Sequence, residues 1–191
     1  METEKEILTV IGADSWMMKV LQAAEMLELS DWWICAGFVR SKVWDVLHGY
    51  DARTSLGDID VIYYDDENVD EEQEKKFEHQ LNQNMPGLPW SVKNQARMHQ
   101  VNNLPQYQSS FDAVSQFPET ATALGVKIAP GGQLELMAPH GLVDLLDIRV
   151  RPTPAFEKDE RLMKVYKKRL ESKKWSQKWP KVEVALPKEK L

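Results

Sequence analysis

An extended chain with apolar side chains on both faces is stable only where it is covered from two sides, and the segment DIDVIYYD, Asp58 to Asp65, is of that kind. Residues two apart on a strand share a face, so Ile59 and Val61 line one side while Ile62 and Tyr64 line the other. The segment therefore reads as a central strand of a sheet, not an edge. At its mouth Asp58 and Asp60 point the same way, with α-carbons roughly 6.5 to 7 Å apart. Two ionised carboxylates at that distance repel each other unless a cation lies between them, and hard Mg²⁺ or Mn²⁺ takes oxygen donors of this type together with phosphates. By itself the spacing is weak evidence in a chain with 30 Asp and Glu residues, because a solvated strand end produces the same pattern.

The stretch just upstream changes the balance. DWWICAG predicts a short buried strand from Trp32 to Ala36, stopped by Gly37. A helix follows from Phe38 to His48, with Val39, Val43, Val46 and Leu47 on one side and Gly49 just past its end, where a left-handed cap residue belongs. A glycine turn that opens a helix lets the backbone approach phosphate closely and offers free N–H groups, and Arg40 in the first turn adds a forked donor. A phosphate seat beside a metal clamp is what nucleotidyl or phosphoryl transfer requires.

AGFVRSKVWDVLHG followed by DIDVIYYD resembles the nucleotidyltransferase superfamily typified by DNA polymerase beta, with spacing similar to the GGxVRDxLLG…DxD pattern of tRNA CCA-adding enzymes and bacterial poly(A) polymerases. Over nearly its full length the chain also resembles a bacterial nucleotidyltransferase-like family, through WSVKNQARMH, FPETATALGVKI, MAPHGLVDLLDIRVRP and KKWSQKWP. The resemblance implies a polymerase-beta-like α/β (α+β) fold, a mixed sheet with flanking helices. It also implies Mg²⁺ or Mn²⁺ on Asp58 and Asp60, and a nucleoside triphosphate seated by Gly37, Phe38 and Arg40. A hydroxyl acceptor would attack the α-phosphate in line and release pyrophosphate. Phe38 stands where many members have a serine that helps hold the phosphates. A third carboxylate is expected on a neighbouring strand, where WSVKNQA offers Asn94, which accepts a hydrogen bond but takes no proton. Glu135 in QLELMAP is the substitute if its hairpin folds against the D-x-D strand. The same departures favour an alternative, a catalytically inactive nucleotide- or metal-binding regulator on this fold.

The remaining pattern predicts a helix from Asp14 or Ser15 to about Leu29, and an exposed charged helix after Asp65 anchored by Phe77 and Leu81. Further on it predicts a strand over PWSVKNQARMH, loop and a short helix between Asn102 and Thr120, and a hairpin over TALGVKIAPGGQLELMAP turned at Pro130 and Gly131. A short helix at Leu142 to Leu146 precedes a helical tail from Glu157 to Lys174, striped by Leu162, Tyr166 and Leu170, with Trp175 and Trp179 folding it back. Residues 1–154 are expected to form the nucleotidyltransferase-like domain and 155–191 a tail packed on it.

Lys93 and Arg97 either grip the triphosphate or acceptor or are solvated cations; Glu119 and Thr122 either line the site or begin an ordinary capped segment. Trp90 stacks a base or packs in the core, His99 touches substrate or is structural, and Asp144 binds a ligand or pairs with Arg149 or Arg151. From Met1 to Ile148 there are 10 Lys and Arg against 24 Asp and Glu, and from Arg149 to Leu191 there are 14 against 6. An acidic body argues against non-specific duplex binding, so nucleic acid is not the favoured partner; the basic tail is a solvated face, or touches a phosphate backbone or another protein. One cysteine excludes an internal disulfide, and four histidines without i, i+4 pairing argue against zinc. No apolar run approaches the roughly 20 residues of a membrane span and the acidic opening lacks a secretory signal's basic start, which predicts a cytoplasmic protein.

Overall fold

The doubly apolar strand lies where its pattern demands. In the computed structural model, which describes residues 1–185, the elements in chain order are α1 (Glu4–Gly12), α2 (Ser15–Glu25), β1 (Trp33–Cys35), α3 (Gly37–His48), β2 (Ile59–Tyr63), α4 (Glu71–Asn84), β3 (Trp90–Asn94), α5 (Gln95–Met98), α6 (Ser110–Ser115), β4 (Gly125–Ile128), β5 (Leu134–Met137), α7 (Val143–Leu146), β6 (Arg149–Val150), α8 (Pro154–Lys158), α9 (Glu160–Lys173), α10 (Trp175–Lys178) and β7 (Glu183–Val184). The main sheet has the order β3-β2-β1-β4-β5, which puts β2 between two neighbours. It pairs antiparallel with β1 and parallel with β3, so the sheet is mixed. On one face Ile34, Ile59, Val61, Val92 and Val126 join the large core beneath α1, α2 and α3. On the other, Trp33, Cys35, Ile62 and Met137 form a smaller cluster closed by Val114 and Ala123.

The hairpin forms as expected: β4 and β5 pair antiparallel, the Gly132 N–H donates to the Ala129 carbonyl at 2.9 Å, and Gly131 takes φ 100°, the left-handed value that a type II turn needs at its third position. Four larger departures from the sequence reading stand out. The unforeseen α1 starts in a capping box in which the Glu6 N–H donates to Thr3 Oγ1 at 3.3 Å and the Thr3 N–H to Glu6 Oε2 at 3.0 Å. The helix expected to reach Leu29 ends at Glu25, and the chain beyond it takes left-handed turns at Glu28 and Asp31. The third strand stops at Asn94, whose side chain caps α5 by accepting from the Ala96 N–H. The tail helix is two helices, because Asp159 leaves the helical conformation and caps α9 through the Arg161 and Leu162 N–H groups.

The tail is fastened to α3 by tryptophan. Trp175 and Trp179 are buried edge-on against Trp44, with ring centroids 6.5 and 5.3 Å away. The Trp179 indole N–H donates to Asp45 Oδ1 at 2.8 Å, and that carboxylate also accepts from the Thr54 N–H and hydroxyl at 2.8 and 2.6 Å. One aspartate thus closes the loop before β2 and holds the tail. Parallel pairing of β6 with β7 ties the described end of the chain to the body. Among the described residues no helix is long and apolar enough to cross a membrane.

Candidate nucleotide and metal site

Antiparallel pairing puts the end of β1 beside the start of β2: Cys35 lies opposite Asp60. The next two residues turn the chain into α3, so the helix N-terminus arrives at the end of the sheet that carries Asp58 and Asp60. Ala36 makes the turn at φ 54° and ψ −116°, a conformation that costs an L-residue strain and that glycine adopts freely. It is pinned by its N–H donating to the Leu124 carbonyl at 2.9 Å and its carbonyl accepting from the Arg40 N–H at 3.1 Å. Gly37 begins the helix without positive φ, and no side chain caps it. The first-turn N–H groups have no partner within the helix and present a partial positive charge.

Asp58 is exposed and Asp60 half-buried. Burial and the Asp58 carboxylate push Asp60 up to about 6, against the pull of Lys173, Arg169 and Arg40. The pair is a concentrated negative site that a divalent ion would neutralise, and its donors are hard oxygens. Cys35 beside it stays a thiol, since burial, Asp60 and Asp31 all raise it.

The structure brings Gly37, Phe38, Arg40, Asp58 and Asp60 to one end of the sheet, whereas Lys93 and Arg97 are engaged by α4 and Glu135 lies on β5. Arg40 is enclosed: its guanidinium carbon lies 5.3 Å from the ring centroids of Trp44, Trp175 and Trp179, and its Nε has no partner. Burial pulls it down to about 10, with Glu119, Asp58 and Asp45 opposing, so it remains a cation at neutral pH and lends positive potential to the turn. The Phe38 side chain sits in the core, 6.1 Å from Trp16, which leaves only its backbone N–H for a ligand.

Lys93 and Arg97 face α4. Its buried Glu74 accepts from Arg97 Nε and Nη2 at 2.8 and 2.7 Å, from Lys93 Nζ at 3.2 Å and from the Asn94 N–H at 2.9 Å, while Glu71 takes Arg97 Nη1 at 2.7 Å. The charged helix is therefore less exposed than its composition implies, because a carboxylate of its inner face neutralises the strand beside it.

Neither expected third carboxylate position is realised. Asn94 pairs in register with Tyr63 and so points to the opposite face from Asp60; its side chain staples the loop after β2 through Asp65 and Asn68. The residue of β3 opposite Asp60 is Ser91. Glu135 lies on β5, three strands from β2, or about 14 Å at the usual strand spacing, and pairs with Lys127 at 3.4 Å. Among the described residues no three His, Cys, Asp or Glu side chains converge as a metal group.

The ambiguous residues each have a partner within the fold. Glu119 is fully buried and takes Arg169 Nε at 2.6 Å, Arg169 Nη2 at 3.2 Å and the Thr122 hydroxyl at 2.7 Å. Asp144 pairs with Arg151 at 2.9 Å and accepts from the Thr120 hydroxyl at 2.7 Å. Trp90 is buried and its indole donates to the Met85 carbonyl, while His99 Nδ1 bonds the Ala96 carbonyl at 3.0 Å. Arg169 and Lys173, whose charges act on Asp60, escaped the sequence reading because only the fold brings the tail to the strand.

A nucleotidyltransferase family model matches residues 22–184. A solved structure described as revealing a CCA-adding enzyme head domain superposes with a TM-score of 0.88 at 35% identity, covering 97% of each chain. The chain belongs to the nucleotidyltransferase family. Thermotoga maritima CCA-adding enzyme in complex with tRNA matches at a TM-score of 0.57 and 15% identity, and a CCA-adding enzyme with CTP at 0.59 and 13%. These two share the fold, and the chain covers 43% of each of theirs. None of the curated proteins matches significantly. Asp58 and Asp60 carry hard carboxylate oxygens of the kind a divalent ion takes, and they are the residues that would hold one.

Proposed function

We propose that the protein transfers a nucleoside monophosphate from a nucleoside triphosphate to a hydroxyl acceptor and releases pyrophosphate. The observation that carries this reading is the meeting of the α3 N-terminus with Asp58 and Asp60 at one end of the sheet. The N–H groups of Gly37 and Phe38 would donate to phosphate oxygens, Arg40 would hold positive potential behind them, and Asp58 and Asp60 would hold Mg²⁺ or Mn²⁺. When bound, the ion neutralises phosphate charge and polarises the phosphoryl oxygen. Similar CCA-adding enzymes are described with CTP, ATP and tRNA, which makes CTP and ATP the first nucleotides to try.

A second reading is favoured by one observation: Ser91, not an acid, stands opposite Asp60 on β3, so that strand supplies no carboxylate base beside the pair. On that reading the protein binds the metal nucleotide without transferring it. Calorimetric titration of CTP and ATP with and without Mg²⁺, on the parent and on Asp58→Ala/Asp60→Ala, tests what the two readings share. Mg²⁺-dependent binding lost in the double variant supports the site; a folded parent that binds neither nucleotide sinks both readings. Release of pyrophosphate on addition of acceptors then separates transfer from binding.

A further inference from the structure

The phosphates of a nucleoside triphosphate carry more negative charge than one divalent ion neutralises, yet Arg40 is enclosed by tryptophan and Lys93 and Arg97 face α4. Two further cations, Arg169 and Lys173, lie on α9. Arg169 grips fully buried Glu119, in the segment that runs on to Leu124, whose carbonyl holds the Ala36 N–H at 2.9 Å. Trp175, two residues past Lys173, packs on the Arg40 guanidinium at 5.3 Å. Lys173 thus lies between the Arg169–Glu119 pair and Trp175, which packs on Arg40 in the first turn of α3, and it is one helical turn from Arg169 on the same side of α9. Lys173 is exposed and in no ion pair among the described residues, and Arg169 meets Glu119 through Nε and Nη2 with its side chain 34% exposed.

We propose that Lys173 and Arg169 form a seat for the terminal phosphates of the nucleotide, and hold pyrophosphate as it leaves. The inference rests on the nucleotidyl-transfer reading. The seat makes the tail part of the binding site: Lys173 supplies a mobile point charge, and Arg169 a fork oriented by Glu119. A monophosphate, which has no terminal phosphates, would not use it.

Calorimetry with magnesium pyrophosphate, Mg·CTP and CMP on the parent, Lys173→Gln, Arg169→Lys, Lys164→Gln and Asp58→Ala/Asp60→Ala tests this. Lys173→Gln is expected to weaken pyrophosphate and CTP binding by about tenfold or more, the worth of a charge-assisted bond, with CMP binding and melting temperature unchanged. Arg169→Lys, which keeps the charge but loses the fork, is expected to weaken the same two ligands less. Lys164→Gln, another tail lysine outside the proposed seat, is expected to match the parent. Binding that is lost in the aspartate double variant but keeps full strength in Lys173→Gln overturns the seat alone. An equal loss in Lys164→Gln overturns it in favour of diffuse attraction by the basic tail. No binding by the parent, or binding indifferent to the aspartates, overturns the transfer reading and the seat together.

Discussion

Strand periodicity alone predicts that Asp58 and Asp60 share a face, whereas the residue opposite Asp60 was not legible. Alternation on β3 places Ser91 and Lys93 on one face and Asn94 on the other, but only the pairing register reveals which face meets Asp60. The electrostatics of the pair are testable without any ion. Asp60 lies at about 6 because burial and the Asp58 charge both disfavour its ionised form, so Asp58→Asn removes one cause and brings the Asp60 pKa down. Carboxyl NMR titration of metal-free protein reads this directly, and an unmoved value would assign the shift to burial alone. Asp14 shows the opposite sign. Burial opposes its charge, but Lys42, the Met17 N–H and Arg53 hold it down at about 2. Its stabilisation is therefore complete above the ordinary aspartate value near 4 and lost as pH falls through about 2. Asp14→Ala is expected to cost about 1–2 kcal/mol in urea unfolding at pH 7, with the two stabilities converging toward pH 2; a gap that persists there would mean that the loss is packing, not charge.

At the scale of elements, strand, turn, helix and second strand were all readable from apolar spacing and the glycines at Gly37 and Gly49, and the Gly49 cap takes φ 70° as its position implies. Less readable was which residue of the turn bears its strain. The left-handed conformation falls on Ala36 and not on Gly37, because the residue between strand and helix must swing its carbonyl back to receive the Arg40 N–H while its own N–H stays with Leu124. Ala36→Gly is accordingly expected to raise stability by about 1 kcal/mol, the relief of about 1–3 kcal/mol of strain less the about 0.5–1 kcal/mol entropy cost of glycine. Urea unfolding decides it, and a less stable variant would show that the Ala36 methyl packs usefully. The charged α4 concealed its partner for a related reason: Glu74 lies among acids in the sequence, and only the strand folded beneath it, with Lys93 and Arg97, turns it into a buried counter-ion.

For the whole molecule, the tail is joined to the body where Trp175 and Trp179 close over Arg40 and Trp44, and where Arg169 pairs with buried Glu119. The tryptophans pointed to a docked tail, but no spacing in the sequence showed that their floor would be a cation from the helix that opens the site. If that closure is one cooperative structure, loosening it at the far end must be felt by the fold and not only by the tail. Trp179 is the place to ask, since it packs 5.3 Å from Trp44 and its indole completes Asp45, which also secures the loop leading to β2. Trp179→Ala is expected to cost about 3–5 kcal/mol, the usual loss for a buried tryptophan. It should also raise the rate at which trypsin cuts after the lysines of α9. Trp179→Phe, which keeps most of the volume but leaves Asp45 without its indole donor, is expected to fall between. Urea unfolding followed by both tryptophan fluorescence and backbone circular dichroism separates the outcomes. Coincident transitions shifted together in both variants mean that tail and sheet unfold as one. A tail that becomes sensitive to trypsin while the main transition stays at the parent midpoint would mean that the tail is a separately folding appendage, and that Lys173 is carried to the carboxylate pair only when it docks.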